Sequence, residues 1–286
     1  MRPVMIHERL AQLIERLPIY DSRIRRREPG GVHKMRVTLR RLRSLLATFA
    51  PLFDRDVVVS LRDELSWIAG ELAGARDAEV VRTRLNGIAT TPEELAVARR
   101  IKKALGAAEV AAMERSVAAL DSERYSEVLR RLNGFATDPP WNPHVDATSD
   151  GLLRRRIRRD WKRLRRRVER ASEAAGGSVH DATLHEVRKA AKRLRYSAET
   201  LVPASGEDAK RLARGAKRIQ TELGEVQDSV VSQALLRTMA EDAEPGEAFV
   251  LGRLQAHDRF LAASAEARYA KAWAKLSRRK NRRWLK

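Results

Sequence analysis

Two segments of this chain, 152 residues apart, carry the same helical pattern of cations. Residues 32–44 read VHKMRVTLRRLRS and residues 184–196 read LHEVRKAAKRLRY. Aligned, His33 meets His185, Arg36 meets Arg188, Arg40 meets Lys192, Arg41 meets Arg193 and Arg43 meets Arg195, with Leu42 on Leu194. A second match follows at a shift of 151. ELAGARD (71–77) lies on ELGEVQD (222–228), pairing Glu71 with Glu222, Leu72 with Leu223 and Asp77 with Asp228. Two matches at nearly one offset describe an internal duplication, the signature of a fold built from repeated units.

Placed on a helical wheel, each copy divides into two stripes. With His33 at zero, Arg36, Arg40 and Arg43 fall within about a quarter-turn of it, near 300°, 340° and 280°. Met35, Leu39, Leu42 and Leu46 fall near 180–240° and predict the core-facing side. The second copy sets His185, Arg188, Lys192 and Arg195 against Val187, Ala191 and Leu194. Cations in line on one helix repel each other, and no acid in either cationic stripe offsets them. A single arginine so placed can be a solvated helix face. A His-x2-Arg-x3-Arg/Lys-x2-Arg set that recurs in both halves points to an anion bound between the cations. Each stripe is about 15 Å long at 1.5 Å per residue, which suits a linear polyanion better than a small one. Arginine grips phosphate oxygens with a planar fork, and lysine acts as a point charge. An imidazole among cations favours its neutral form until a phosphate arrives. His33 and His185 are therefore expected to contribute phosphate hydrogen bonds, with affinity rising as pH falls.

The rest of the chain predicts an all-α architecture. Ala, Leu, Arg and Glu dominate, and all are good helix formers. Most of the prolines stand between periodic segments. Helices are expected near 4–28 (kinked or split at Pro18), 32–50, 54–85, 93–132, 151–175, 180–202, 206–240 and 246–278. They group as a first unit, 1–135, a proline-rich linker, 136–150, and a second unit, 151–286. Helices of this length joined by short turns pack as bundles.

The chain of 286 residues has 58 Lys+Arg against 38 Asp+Glu, a net charge of +20. Residues 1–146 hold 25 basic and 20 acidic residues, and residues 147–286 hold 33 and 18. Much of the second excess sits in RRRIRRDWKRLRRRVER (154–170), where Ile157, Trp161, Leu164 and Val168 form one apolar stripe. This helix is expected to fold against a core while Arg155, Arg159, Lys162 and Arg166 run along its polar side. RRKNRRWLK (278–286) adds a further basic cluster, read either as a frayed helix end or as an extra polyanion contact. Cysteine is absent, which excludes disulfides and thiolate metal sites. No uncharged run approaches the roughly twenty residues of a membrane span, and charges at residues 7–9 argue against a signal peptide. A soluble, cytoplasmic protein with a polyanionic partner is expected.

The paired His-x2-Arg-x3-Arg/Lys-Arg-Leu-Arg segments, with LAGARD and LGEVQD about thirty-five residues after each, resemble the CHAD family, named for its histidine-containing α-helical domain. The resemblance covers essentially the whole chain. It implies two four-helix bundles related by pseudo-twofold symmetry around a basic central channel, and binding of inorganic polyphosphate with targeting to polyphosphate granules. The implied ligand set is His33, Arg36, Arg40, Arg43, His185, Arg188, Lys192 and Arg195. Further candidates are Arg26, which with Arg23, Arg25 and Arg27 would sit at the channel mouth, together with Arg41, Arg155, Arg159, Lys162, Arg166 and Arg193. The Glu-x-Glu-x-Lys motif of the triphosphate tunnel domain often fused to this family is absent, so a stand-alone member is expected. Glu71, Asp77, Glu222 and Asp228 read as structural carboxylates, and Gln227 in place of Arg76 makes the halves electrostatically unequal.

Three function classes compete. The first is a non-catalytic polyphosphate-binding module with no cofactor and no metal. The second is a nucleic-acid-binding helical protein, for which the charge suffices but exposed stacking aromatics are wanting. The third is a phosphohydrolase or kinase, which would need a metal site or a phosphate-cradling glycine loop. Neither is apparent in the sequence.

Overall fold

The computed structural model describes residues 2–144, 150–174 and 177–285, with side chains for all of these except residues 2, 3, 75–82 and 150. Eleven α-helices are present among them: α1 (Arg2–Ile14), α2 (Arg16–Arg25), α3 (Gly31–Phe49), α4 (Arg55–Glu71), α5 (Ala73–Ile88), α6 (Pro92–Asp121), α7 (Glu123–Thr137), α8 (Asp150–Glu173), α9 (Ser178–Thr200), α10 (Val202–Glu241) and α11 (Pro245–Leu276). The described residues contain no β-strand, only one isolated bridge between Phe53 and Trp141.

The second half follows the expected four helices closely. The first half breaks three of its expected helices. The first divides at Glu15. Pro18, three residues farther on, has no N–H for the Ile14 carbonyl, and its ring crowds that oxygen. The helix expected over 54–85 divides at Leu72, and that over 93–132 at Ser122, whose hydroxyl caps α7 by accepting from the Tyr125 N–H. Asp54 caps α4 through the N–H groups of Asp56 and Val57, and Thr91 with Glu94 forms a capping box on α6. The start of the linker is pinned to the corner between α3 and α4. Asp54 N–H donates to Pro140 O (2.7 Å), Asn142 N–H to Leu52 O (2.9 Å), and Trp141 stacks on Phe53. Residues 145–149 of the linker lie outside the described residues.

The predicted apolar stripes are the core. Met35, Leu39, Leu42, Val187, Ala191 and Leu194 are fully buried, as are Ile157 and Leu164 of α8, with Trp161 stacked on Trp273. One main cluster draws residues from both halves, so the core runs on across the linker. A smaller cluster joins Leu85, Ile88 and Ile101 to Leu236, Leu251 and Leu254. Beside it, buried Asp258 accepts from Arg84 and from the Ser229 hydroxyl. Glu222 is also buried, between Arg218 (2.8 Å) and Arg268 (2.7 Å).

A further polar tie between the halves involves Asp160, the inward residue of α8. It is almost wholly buried, accepts from Thr48 Oγ1 of α3 (2.8 Å), and pairs with Arg193 Nε of α9 (2.7 Å). Burial pushes the Asp160 carboxyl above the usual range, and Arg193 with two hydroxyls pulls it back. Removing one partner would leave the other charge buried and uncompensated. Asp160→Ala is therefore expected to cost about 3–5 kcal/mol in urea unfolding, far more than substitution of an exposed neighbour such as Arg158.

Candidate polyanion site

Helices α3 and α9 pack against each other and bring their cationic stripes to a common seam. Arg36 and Arg40 from α3 and Arg188 and Lys192 from α9 converge there. Burial lowers the Lys192 ammonium to about 7, and repulsion from Arg188, Arg40 and Arg36 adds to the effect, while Asp228 opposes it. Burial likewise lowers Arg188, with Asp228 attracting it and Arg40 repelling it. Four of the eight expected ligands thus share one electrostatic neighbourhood.

The two equivalent arginines reach the same repeat position on the following helix. At the break, Arg36 Nη1 donates to the carbonyls of Leu72 (3.3 Å) and Ala73 (2.9 Å), the oxygens that open α5. In the second half α10 continues unbroken through Leu223. There the Arg188 guanidinium lies over Gly224, about 3.5 Å from where a Cβ would project. Arg188 Nε is buried and has no hydrogen-bond partner, a costly condition for a charged donor unless an anion supplies the acceptor.

The histidines sit at the outer ends of the stripes. His33 is exposed. His185 is partly buried, and its Nδ1 lies 2.5 Å from Gln227 Oε1. With Nδ1–H donating there, Nε2 is left to meet a phosphate. Burial lowers His185 below its ordinary value, and Lys189, Arg188 and Lys192 push the same way.

The far ends of the stripes diverge. Arg43 stands beside Arg62 of α4, and burial followed by that repulsion lowers it. Arg195 turns to Glu199 (2.6 Å) and Gln220 (3.3 Å) and lies over the Tyr196 ring. Arg41 also lies over the Tyr196 ring, 5.3 Å from its centroid, and approaches Glu199 at 3.8 Å. Arg193 is held by Asp160, by Thr48 and by the Ala47 carbonyl (2.8 Å). Arg26 is engaged on the α2–α3 turn by Glu28 and Ser22. Arg155, Arg159, Lys162 and Arg166 are exposed on α8.

Sequence reasoning passed over several groups in and around the seam. Asp228 was legible in the repeat but read as structural; it is the acid that moderates Arg188 and Lys192. Gln227 was noted only as a replacement for Arg76. Arg62 lies between the two matched segments, where a shift of 151 or 152 sets it on Ala213 or Arg214, and so the repeat does not single it out. Arg9 of α1, lowered by burial and then by Arg41 and Arg16, carried no signal beyond its charge. The Asp77 and Arg76 side chains lie outside the described residues. Among the described residues no three His, Asp or Glu side chains are grouped to hold a metal ion, and no helix is long and apolar enough to cross a membrane.

The CHAD domain family profile matches residues 8–237, most of the chain. The chain belongs to the CHAD family. It is 30% identical over 279 residues to an uncharacterized protein of Mycobacterium tuberculosis, found alike in strains CDC 1551 and H37Rv, covering 96% of this chain and 53% of that protein. The chain therefore spans about half the length of the curated relatives it matches. Among solved structures, the CHAD domain from the plant Ricinus communis superposes with a TM-score of 0.73 at 25% identity, covering 96% of this chain and 92% of that one. PptA from Streptomyces chartreusis superposes with a TM-score of 0.77 at 24% identity, covering 94% and 98%. Both likenesses concern the CHAD fold.

The seam has a measurable electrostatic cost. Lys192 titrates near 7 when folded and near 10.5 when free. The unfolded chain therefore binds more protons between those values, and stability from this group rises with pH across that window. Its penalty is full below about pH 7. Lys192→Met is expected to raise Tm by roughly 2–4 °C at pH 6, the shift that about 1 kcal/mol produces in a domain of this order of size. The gain should shrink toward zero as pH approaches about 10. Thermal unfolding of both proteins from pH 6 to 10 checks the sign.

Proposed function

We propose that this CHAD protein binds linear inorganic polyphosphate without catalysing its turnover, and that it associates with polyphosphate granules in the cytoplasm. The observation that carries the proposal is the seam itself. Four cations from two helices are held together, one of them lowered to about 7 and another with a buried, unpartnered Nε. Such a seam is relieved by a string of phosphates, which supplies acceptors and negative charge at every repeat. The resemblance of the family to polyphosphate-binding proteins supports the same ligand.

In this reading the halves are related by a pseudo-twofold axis between α3 and α9, and the seam is the floor of a channel. Reciprocal contacts support it. Arg41 approaches Glu199, and its counterpart Arg193 donates to Ala47 O, where 47 is the counterpart of 199. Arg36 and Arg188 reach the matched positions Ala73 and Gly224. The ligand lies along α3 and α9. Arg36, Arg40, Arg188 and Lys192 grip its middle, His33 and His185 its flanks, and Arg43 and Arg195 its exits.

Binding through several cations releases counterions, so affinity falls steeply with salt, with a log–log slope of about −4 or steeper. Arg188→Gln combined with Lys192→Gln should weaken binding of a short polyphosphate by about a hundredfold or more while leaving helicity unchanged. Unchanged affinity in that variant would remove the seam from the function. Competition against duplex DNA at physiological salt separates polyphosphate from nucleic acid as the preferred ligand.

The pH dependence follows from the shifted groups. A bound phosphate raises the Lys192 value above about 7, so binding takes up a proton above that pH. Affinity should weaken as pH rises past about 7. His185 begins below its ordinary value, so its contribution grows only as pH falls through the histidine range. Calorimetry in buffers of different ionisation enthalpy, at fixed salt, should report proton uptake at pH 8. Affinity that stays flat between about pH 8 and 6 would count against both assignments.

A further inference from the structure

The seam uses little of the charge on α8. The outward face of that helix carries Arg159, Lys162, Arg163, Arg166, Arg167 and Arg170, which line a cavity of about 500 Å³. Among the described residues only Arg167 has an ion-pair partner there, Glu186 at 3.6 Å. The face is rigid, because Leu153, Ile157, Trp161, Leu164, Val168 and Ala171 behind it are buried.

A second cationic segment packs against the flank of the same helix. Residues 278–285 form two 3-10 turns (Arg279–Asn281 and Arg283–Leu285) instead of the frayed end considered from sequence. Leu285 is buried and Arg282 lies 6.0 Å over the Trp161 ring. Arg158, Arg279, Arg282 and Arg283 thereby surround a further cavity of about 160 Å³. None of these four has an ion-pair partner among the described residues. Packing has gathered like charges that would lower their energy by separating. From Arg158 to Arg170 the two cavities span about 18 Å along α8, one on its outward face and one on its flank.

We infer that the outer face of α8, extended by Arg279, Arg282 and Arg283, is a second polyphosphate track, so that one protein holds a long chain at two places or bridges two chains. The inference rests on the polyphosphate reading of the seam. Between Arg159 and Arg166 the face offers charge alone, and an apolar hollow adjoins it only at Arg167 and Arg170, against Val179 and Ala182. Trp161 is buried and Trp284 is partly buried, and no described aromatic of α8 is exposed for a base to stack on. A bare phosphate chain gains all that such a face can give. Electrostatics also link the tracks, since Arg193 beside the seam feels Arg163 on α8 and Arg62 on α4, and Arg62 in turn faces Arg43.

The test compares the full chain with Lys162→Gln/Arg166→Gln/Arg170→Gln, all at exposed positions, and with Arg279→Gln/Arg283→Gln, after circular dichroism has shown equal helicity. Two polyphosphates are titrated, one no longer than the seam stripe, about 15 Å, and one several times longer. The triple variant should lose about tenfold or more in affinity for the long chain, with a salt slope shallower by about two. Its affinity for the short chain should stay within about twofold, and light scattering from bridged chains should fall. The double variant should show the same pattern more weakly. Unchanged long-chain affinity and salt slope in both variants overturns the inference. So does a triple variant that loses only duplex DNA binding, which would make the face a nucleic-acid surface. The seam variant, Arg188→Gln/Lys192→Gln, is run in parallel. If it keeps short-chain affinity, the seam assignment fails, while the outer track is still judged on the long-chain loss in the triple variant.

Discussion

Arg36, Arg40, Arg188 and Lys192 repel one another, and apolar packing on the opposite faces of their helices holds them together. Leu39 and Leu42 on α3, and Val187 and Leu194 on α9, are fully buried. Each helix must therefore present its other side to its neighbour. Burying a Leu or Val side chain contributes on the order of 2 kcal/mol, and several such residues on each helix outweigh the repulsion across the seam. Asp228 offsets part of it, and burial, followed by the repulsion that remains, lowers Lys192. The stability of the bundle and the readiness of the seam for an anion thus come from opposite faces of the same two helices.

Asp160 extends this logic to α8. An Arg-rich helix has no electrostatic reason to stay near other cations. Its apolar stripe and one buried carboxylate, shared with Thr48 and Arg193, fix it in place. Arg193 is thereby drawn into structure, though its position in the repeat resembles that of a ligand. Position within a repeat specifies where a side chain starts, and the local acids decide where its charge goes. Arg26, Arg41 and Arg195 make the same point, each engaged to some degree by Glu28 or Glu199.

The helical class and the cationic stripes were legible because they depend on periodicity, which a sequence displays directly. The second copy's helices were also readable, since their boundaries coincide with glycine and proline breaks. The helix breaks at Leu72 and Ser122 were not. Neither carries proline, and at Leu72, between the good helix formers Glu71 and Ala73, the break runs against local propensity. The fold-back of 278–285 was hidden as well: Trp284 and Leu285 give a short apolar signal whose partner, Trp161, lies far away in sequence. Arg62 and Gln227 depend on contacts between helices that no single-helix pattern encodes.

The break at Leu72 makes two halves that are alike in sequence unequal in what a ligand offers them. At Arg36 an incoming phosphate competes with two main-chain oxygens already in place. At Arg188 Nε it competes with none. The first arginine exchanges partners and the second gains one. In the proposed polyphosphate complex, two arginines at matching positions of the sequence thus start from different contacts, one giving up main-chain oxygens and one gaining an acceptor at Nε.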